Sequence, residues 1–172
     1  MKRRFDGRGK DRWVRIHLIA AGNRMPEWVN MGYGEFAGRL PSECRLHLIE
    51  IPLPKRAKGH DTARWIEQEG ERMLAVIPKG CQVIAMEVAG KEWSTEELAG
   101  ELSRWLQGGG DIALLVGGPD GLAPACVARA DRRWSLSRLT LPHMLVRVVV
   151  AEQLYRAWTV LQGHPYHRGS AE

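Results

Sequence analysis

Between Asp111 and His143 the chain gathers most of the residue types that can do chemistry. An apolar run, Ile112-Ala113-Leu114-Leu115-Val116, breaks at once into Gly117-Gly118-Pro119-Asp120-Gly121. A short helical segment follows, then a second apolar strand, Ser135-Leu136-Ser137-Arg138-Leu139-Thr140-Leu141, and a turn at Pro142-His143. A buried strand that ends in glycines brings bare backbone close to a neighbour. Ligands of open α/β sheets sit beyond the carboxyl ends of the strands. One glycine-rich strand end beside one carrying Ser, Thr and His can therefore make a single pocket.

Several familiar chemistries do not fit these residues. The loop lacks Gly-Lys-Ser/Thr, so it is no P-loop. It is not G-x-G-x-x-G, and it comes late in the chain, which counts against a dinucleotide site. Ser135, Ser137, Asp120 and His143 hold the groups of a hydrolytic set, yet no nucleophile elbow accompanies them. No His-x-x-x-His or cysteine cluster suggests a metal. Taken alone, the loop is equally a plain strand-turn-helix junction, and His143 equally a turn residue bonded to backbone.

The elements that must position these groups alternate along the chain. Val14 to Ala20 reads as a strand that stops at Ala21-Gly22-Asn23. Pro26 starts a helix with Val29, Tyr33, Phe36 and Leu40 on one face, ended by Pro41. Arg45 to Ile51 is a second strand, with Leu46, Leu48 and Ile51 inward. The loop Pro52 to Gly59 carries Lys55, Arg56 and Lys58, either solvated or gripping phosphate oxygens. Asp61 or Thr62 caps a helix to about Val76, with Ile66, Met73 and Leu74 apolar. Cys81 to Val88 is a third strand, followed by a turn at Ala89-Gly90-Lys91. Ser94 and Glu97 have capping-box spacing and open a helix with Leu98, Leu102 and Trp105 inward. Leu145 to about Leu161 is the last helix, where Glu152 and Arg156 stand four apart and can pair.

Five strands alternating with helices imply an α/β layer structure with a mostly parallel sheet. The 172 residues suit one domain. A hydrophobic share of 44% and a charged share of 26% exclude neither a core nor solubility. No run is long enough to cross a bilayer, and the charged N-terminus lacks the apolar stretch expected of a secretory signal. The three cysteines, Cys44, Cys81 and Cys126, read as reduced packing thiols. Net charge is +5, and residues 1 to 15 hold seven cations against two acids, which accounts for all of it. That basic arm (1–12) can meet nucleic acid, or be a disordered tail or an overcalled start. Residues 13–172 are expected to form a single domain.

The combination is more specific than its parts. Leu114 to Gly121, Leu136 to His143, Glu152-Gln153-Leu154-Tyr155-Arg156-Ala157-Trp158 and His164-Pro165-Tyr166-His167 resemble the bacterial 23S ribosomal RNA pseudouridine N3-methyltransferases of the H type, in the SPOUT class. The likeness continues through Met25 to Val29, Glu50-Ile51-Pro52, Glu69-Gly70-Glu71 and Gly90-Lys91, and so covers about Val14 to Arg168. It implies a SPOUT α/β-knot, with five to six mostly parallel strands, helices on both faces and a C-terminal trefoil knot. It also implies a cytoplasmic homodimer that needs no metal or membrane. Its cofactor would be S-adenosylmethionine, held by Met86, Gly117, Gly118, Leu136, Ser137, Arg138, Leu139, Thr140 and Leu141. The acceptor would be N3 of a pseudouridine in helix 69 of 23S ribosomal RNA, in the assembled 70S ribosome. His143 would orient that base or relay its proton, and Arg156 would stabilise the imide anion. Tyr166, His167, Arg168, Lys55 and Arg56 would contact RNA. Arg138 and Met144 are less typical of the family and would point outward. Three other readings stay open: a SPOUT enzyme acting on transfer RNA, a non-catalytic ribosome-binding factor that keeps the fold, and, more distantly, a nicotinamide or nucleotide enzyme.

Overall fold

The structure is a computed structural model that describes residues 13–55, 59 and 61–168. Its centre is one parallel sheet of five strands: β1 (Val14–Ala21), β2 (Cys44–Ile51), β3 (Gln82–Glu92), β4 (Ile112–Val116) and β5 (Arg132–Ser135). Their spatial order is β2-β1-β4-β3-β5. Helices α1 (Glu27–Ala37), α2 (Thr62–Ala75), α3 (Thr95–Gly108), α4 (Pro124–Arg129) and α5 (His143–Gln162) connect and cover it, and a 3-10 turn, Pro165–Arg168, follows.

Period-two alternation distributes the strands' side chains between two cores. Ile16, Leu18, Ile112 and Leu114 meet Leu98, Leu102 and Trp105 of α3 and Val150 and Leu154 of α5. Ile19, Ala113 and Leu115 meet Met73 of α2 and Cys126 of α4 on the other face. All five residues of β4 are buried, as a central strand of a parallel sheet requires. The three cysteines are free and buried.

Local signals set most element ends. Asp61 caps α2 by accepting from the Arg64 amide at 3.0 Å. Ser94 and Glu97 form the reciprocal capping box of α3 at 3.1 and 2.8 Å. Gly109 closes α3 in the left-handed region, where glycine is favoured. Leu46 and Ile51 are buried and Leu48 is partly so, as the strand pattern requires.

Four elements differ from the sequence expectation. Helix α1 stops at Ala37, before Leu40, which reaches the core through turn bonds from Arg39 and Leu40 to Phe36 and Ala37. Ala89-Gly90-Lys91 is no turn. It belongs to β3, which bulges between Met86 and Lys91 opposite Trp134. A Cβ at Gly90 would lie 2.8 Å from the Trp134 backbone, so the glycine lets two backbones touch.

The stretch Ser135 to Leu141 forms no strand beyond its first residue, since β5 ends at Ser135. Its serines bond locally in place of a ladder: the Ser135 hydroxyl donates to the Ser137 carbonyl at 2.9 Å, and the Leu139 amide donates to the Ser137 hydroxyl at 3.0 Å. Finally, Pro142 and His143 start α5 two residues before Leu145, with His143 as its first helical residue.

Substituting Gly90 by Ala should destabilise the protein by about 1–3 kcal/mol, because the overpacked atom meets backbone. Gly108→Ala, with open space at its Cβ, should be neutral or slightly stabilising. Urea unfolding of the two variants checks this; equal midpoints would contradict the close approach at Trp134.

Candidate functional site

A cavity of about 590 Å³ opens beyond the carboxyl ends of β4 and β5, against the middle of β3 where that strand bulges. Met86, Glu87 and Val88 of β3 form one wall, Val116 to Pro119 after β4 another, and the segment from Ser135 to His143 a third. Its volume suits a small-molecule ligand. Of the nine residues expected to hold a cofactor, Met86, Gly117, Gly118, Leu136, Ser137, Leu139, Thr140 and Leu141 line it. Arg138 does not. Its side chain is 91% exposed and leans towards Glu92 at 3.7 Å. Met144, also expected outside, is half-buried.

The glycines of the loop are required by the chain's own packing. A Cβ on Gly117 would sit 2.5 Å from the Gly121 carbonyl carbon, and one on Gly118 would sit 3.2 Å from Glu69 Oε2. The Gly121 amide donates to the Gly118 carbonyl at 3.0 Å, closing a turn around Pro119 and Asp120. From below, the buried Glu69 carboxylate accepts from the Gly118 amide at 3.2 Å. A Cβ on Gly70 would collide with that of Ala123 at 2.4 Å, so α2 locks onto the end of the loop. The neighbour that the bare backbone approaches is therefore the chain itself, and the cavity wall is the outer side of that tight turn.

His143 stands at the rim of the cavity at the start of α5. Burial, and then the Arg147 guanidinium, push its imidazole below the ordinary value of 6.5. Arg147, one turn on, is 1% exposed. It donates to Glu50 Oε2 at 2.8 Å, to the Ala21 carbonyl at 3.1 Å and to the Gly22 carbonyl at 2.5 Å. The sequence assigns no site role to Arg147 or Glu87, and Glu69 enters only within the Glu69-Gly70-Glu71 likeness. A lone cation inside Leu145-Val146-Arg147-Val148-Val149-Val150 was the available signal for the first of them.

Arg156 is not part of this cavity. It lies thirteen residues along α5 from His143, about 20 Å at the helical rise. Its guanidinium donates to Glu152 Oε1 at 2.9 and 2.6 Å and stacks 4.9 Å from the Tyr166 ring centroid. Tyr166 donates to the same carboxylate at 3.1 Å and packs edge-on against Tyr155 at 4.7 Å. Arg156 and Tyr166 thus form a second cluster around Glu152 at the far end of α5, and His167 and Arg168 follow Tyr166 in the 3-10 turn. Lys55 is exposed; Arg56, Lys58 and the basic arm 1–12 lie outside the described residues. Among the described residues no cluster of three or more acidic, His or Cys side chains could hold a metal ion, and no helix is long and apolar enough to cross a membrane.

Comparison with known proteins adds an independent line. The family described as "Predicted SPOUT methyltransferase" matches residues 14–167. Ribosomal RNA large subunit methyltransferase H of Thioalkalivibrio sulfidiphilus is 61% identical over 155 residues, covering 90% of this chain and 99% of that protein. The protein of the same name from Marinomonas sp. (strain MWYL1) is 58% identical, covering 90% of this chain and 100% of its own length. A crystal structure of a probable methyltransferase from Bordetella pertussis superposes with a TM-score of 0.51 at 17% identity, over 85% of this chain and 97% of that one, which is a likeness of fold.

Burial pushes both His143 and His17 down, though Asp111 opposes the effect at His17. A histidine whose pKa is lower folded than unfolded stabilises the fold above the ordinary value of 6.5, and that stability is lost as pH falls through the folded value. The unfolding free energy should therefore drop as pH falls below the ordinary histidine value of 6.5, and His143→Gln should flatten the drop. An unchanged slope in that variant would contradict the burial of the neutral ring.

Proposed function

The chain belongs to the SPOUT methyltransferase family and is a ribosomal RNA methyltransferase, and from that premise we propose that it methylates N3 of a pseudouridine in helix 69 of 23S ribosomal RNA, within the assembled 70S ribosome in the cytoplasm, using S-adenosylmethionine. The observation that carries this reading is the cavity beyond the strand ends, bounded by Met86, Gly117 and Gly118 on one side and Leu136 to Leu141 on the other. Its lining suits the cofactor. Apolar side chains can cover an adenine, backbone groups can meet its edge, and Ser135, Ser137 and Thr140 supply hydroxyls.

When bound, the cofactor supplies a methyl group on a sulfonium, with a neutral thioether as its leaving group. The acceptor nitrogen is an imide that carries a proton, so attack requires both alignment and a route for that proton. Alignment is the larger contribution. His143 stands at the rim, where an acceptor base would enter, and its depressed pKa keeps the imidazole free to take the N3 proton. Gly117, Gly118 and the Ser135–Leu141 segment exclude water on the cofactor side.

Arg156 enters this reaction only as part of a homodimer. Within one chain it is too far from His143 and is paired with Glu152. A second copy would have to bring it, with the Tyr166–Arg168 turn, over the cavity. In that arrangement Arg156 offsets the developing imide charge. Tyr166 stacks on an exposed base, and His167 and Arg168 hold phosphates. Lys55 and Arg56 are the remaining phosphate contacts of this reading. In this reading residues 13–172 are the single methyltransferase domain of each copy, and the basic arm 1–12 precedes it.

Methyl transfer from radiolabelled S-adenosylmethionine to ribosomes lacking the modification tests the proposal. Label should enter 70S particles at one helix 69 pseudouridine and free 50S subunits poorly. Label only in transfer RNA, or none with cofactor binding intact, would overturn it. His143→Ala should lower turnover by about 10²–10⁴-fold while cofactor affinity is retained; near-normal turnover would exclude the relay. Deleting residues 166–172 should weaken ribosome binding without changing cofactor affinity, and a loss of cofactor affinity would contradict the assignment of the tail to RNA.

A further inference from the structure

The Arg147 side chain is long, 1% exposed and charged. A guanidinium taken out of water is tolerated only when its hydrogen bonds and charge are met. Here two carbonyls at the end of β1 and the Glu50 carboxylate of β2 meet most of it. Among the described residues its Nε finds no acceptor, and the buried hydroxyl of Tyr33 on α1 finds no partner. Tyr33 is pushed up to about 12, by burial first and with the guanidinium pulling the other way, and so stays neutral.

Such an arginine is commonly a structural tie between strand ends, and Arg147 serves as one. Its location adds something more. Gly22 follows β1 with a φ of 98°, and a Cβ built there would lie 3.7 Å from Arg147 Nη2 and 3.9 Å from His143 Nε2. Guanidinium and imidazole therefore share one small space above the end of β1, one helical turn apart on the same face of α5.

We propose that Arg147 is a positioning residue for methyl transfer: it pins the ends of β1 and β2 beneath the start of α5, and it sets a permanent cation beside the His143 imidazole at the rim of the cavity. This rests on the reading in which His143 takes the N3 proton. A fixed cation beside the ring disfavours the imidazolium, so the resting ring is the free base. After it accepts the N3 proton, the same repulsion drives that proton on to solvent, which resets the site. The charged and titratable groups that face the guanidinium are Glu50 from β2 and Tyr33 from α1, and Glu87 from β3 lines the same cavity as His143. Glu50 offsets part of the cation, so its loss should strengthen the effect of Arg147 on the ring.

The test follows the His143 ring by NMR titration in the full-length protein, beside cofactor binding by calorimetry and the pH dependence of turnover on 70S ribosomes. Arg147→Met should move the His143 titration upward and carry the acid limb of turnover with it. Turnover at neutral pH should fall about ten- to a hundredfold as the ring is misplaced. Cofactor affinity should change by less than about twofold, since Arg147 does not line the cavity. Arg147→Lys, which keeps the charge, should restore the titration better than it restores turnover.

If Arg147→Met does not fold, Glu50→Gln keeps the test alive: removing the carboxylate should move the His143 titration downward. A His143 titration that moves in neither variant overturns the proposal. A titration that moves while the pH dependence of turnover stays fixed overturns instead the assignment of His143 as proton acceptor, and with it any part for Arg147 in the transfer.

Discussion

Strand β4 has water on neither face, and the rest of the molecule follows from that constraint. Its five residues must find apolar neighbours above and below, so helices have to cover both sides of the sheet. Ile112 and Leu114 are met by α3 and α5, and Ala113 and Leu115 by α2 and α4. A strand so enclosed can be reached by ligand only at its end. At that end it leaves the core through two adjacent glycines, which is where the cavity opens.

The chain then builds a rigid rim from the polar groups released there. The Gly117–Gly121 turn closes on itself and is held from below by the Glu69 carboxylate. The Ser135–Leu139 segment ties its own serines into local bonds, leaving Leu139 73% exposed towards the opening. Arg147 fastens the start of α5 to the ends of β1 and β2, so the helix that carries His143 is anchored to the sheet independently of the loops. For the buried Arg147 guanidinium, the cost of desolvation offsets much of what these bonds contribute to stability.

Much of this was legible in the sequence, for reasons that differ by element. The capping box at Ser94 and Glu97, the Asp61 cap and the apolar run of β4 are local signals, and local signals survive being read alone. The alternation of strands with helices gave the parallel architecture, and the motif resemblance led to the cavity walls at Met86, Gly117, Gly118 and Leu136 to Leu141. What was misread depends on contacts across the sheet. Gly90 looks like a turn residue until the Trp134 backbone is placed against it. Leu136 to Leu141 alternates like a strand, but lies beyond the paired part of β5 and has hydroxyls that bond to their own backbone. Arg147 and Glu69 carry long-range bonds to partners 97 and 49 residues away, which no spacing rule can locate.

The account stands or falls on the cavity being where the methyl donor binds. The most direct measurement is calorimetric titration of S-adenosylmethionine into the wild-type chain and into Thr140→Trp, a change at an exposed residue of the cavity wall. The account predicts saturable binding by the wild type, weakened at least about tenfold in the variant with its melting temperature retained, because the indole fills space the ligand needs. Equal affinity in the two proteins would place the donor elsewhere and contradict it.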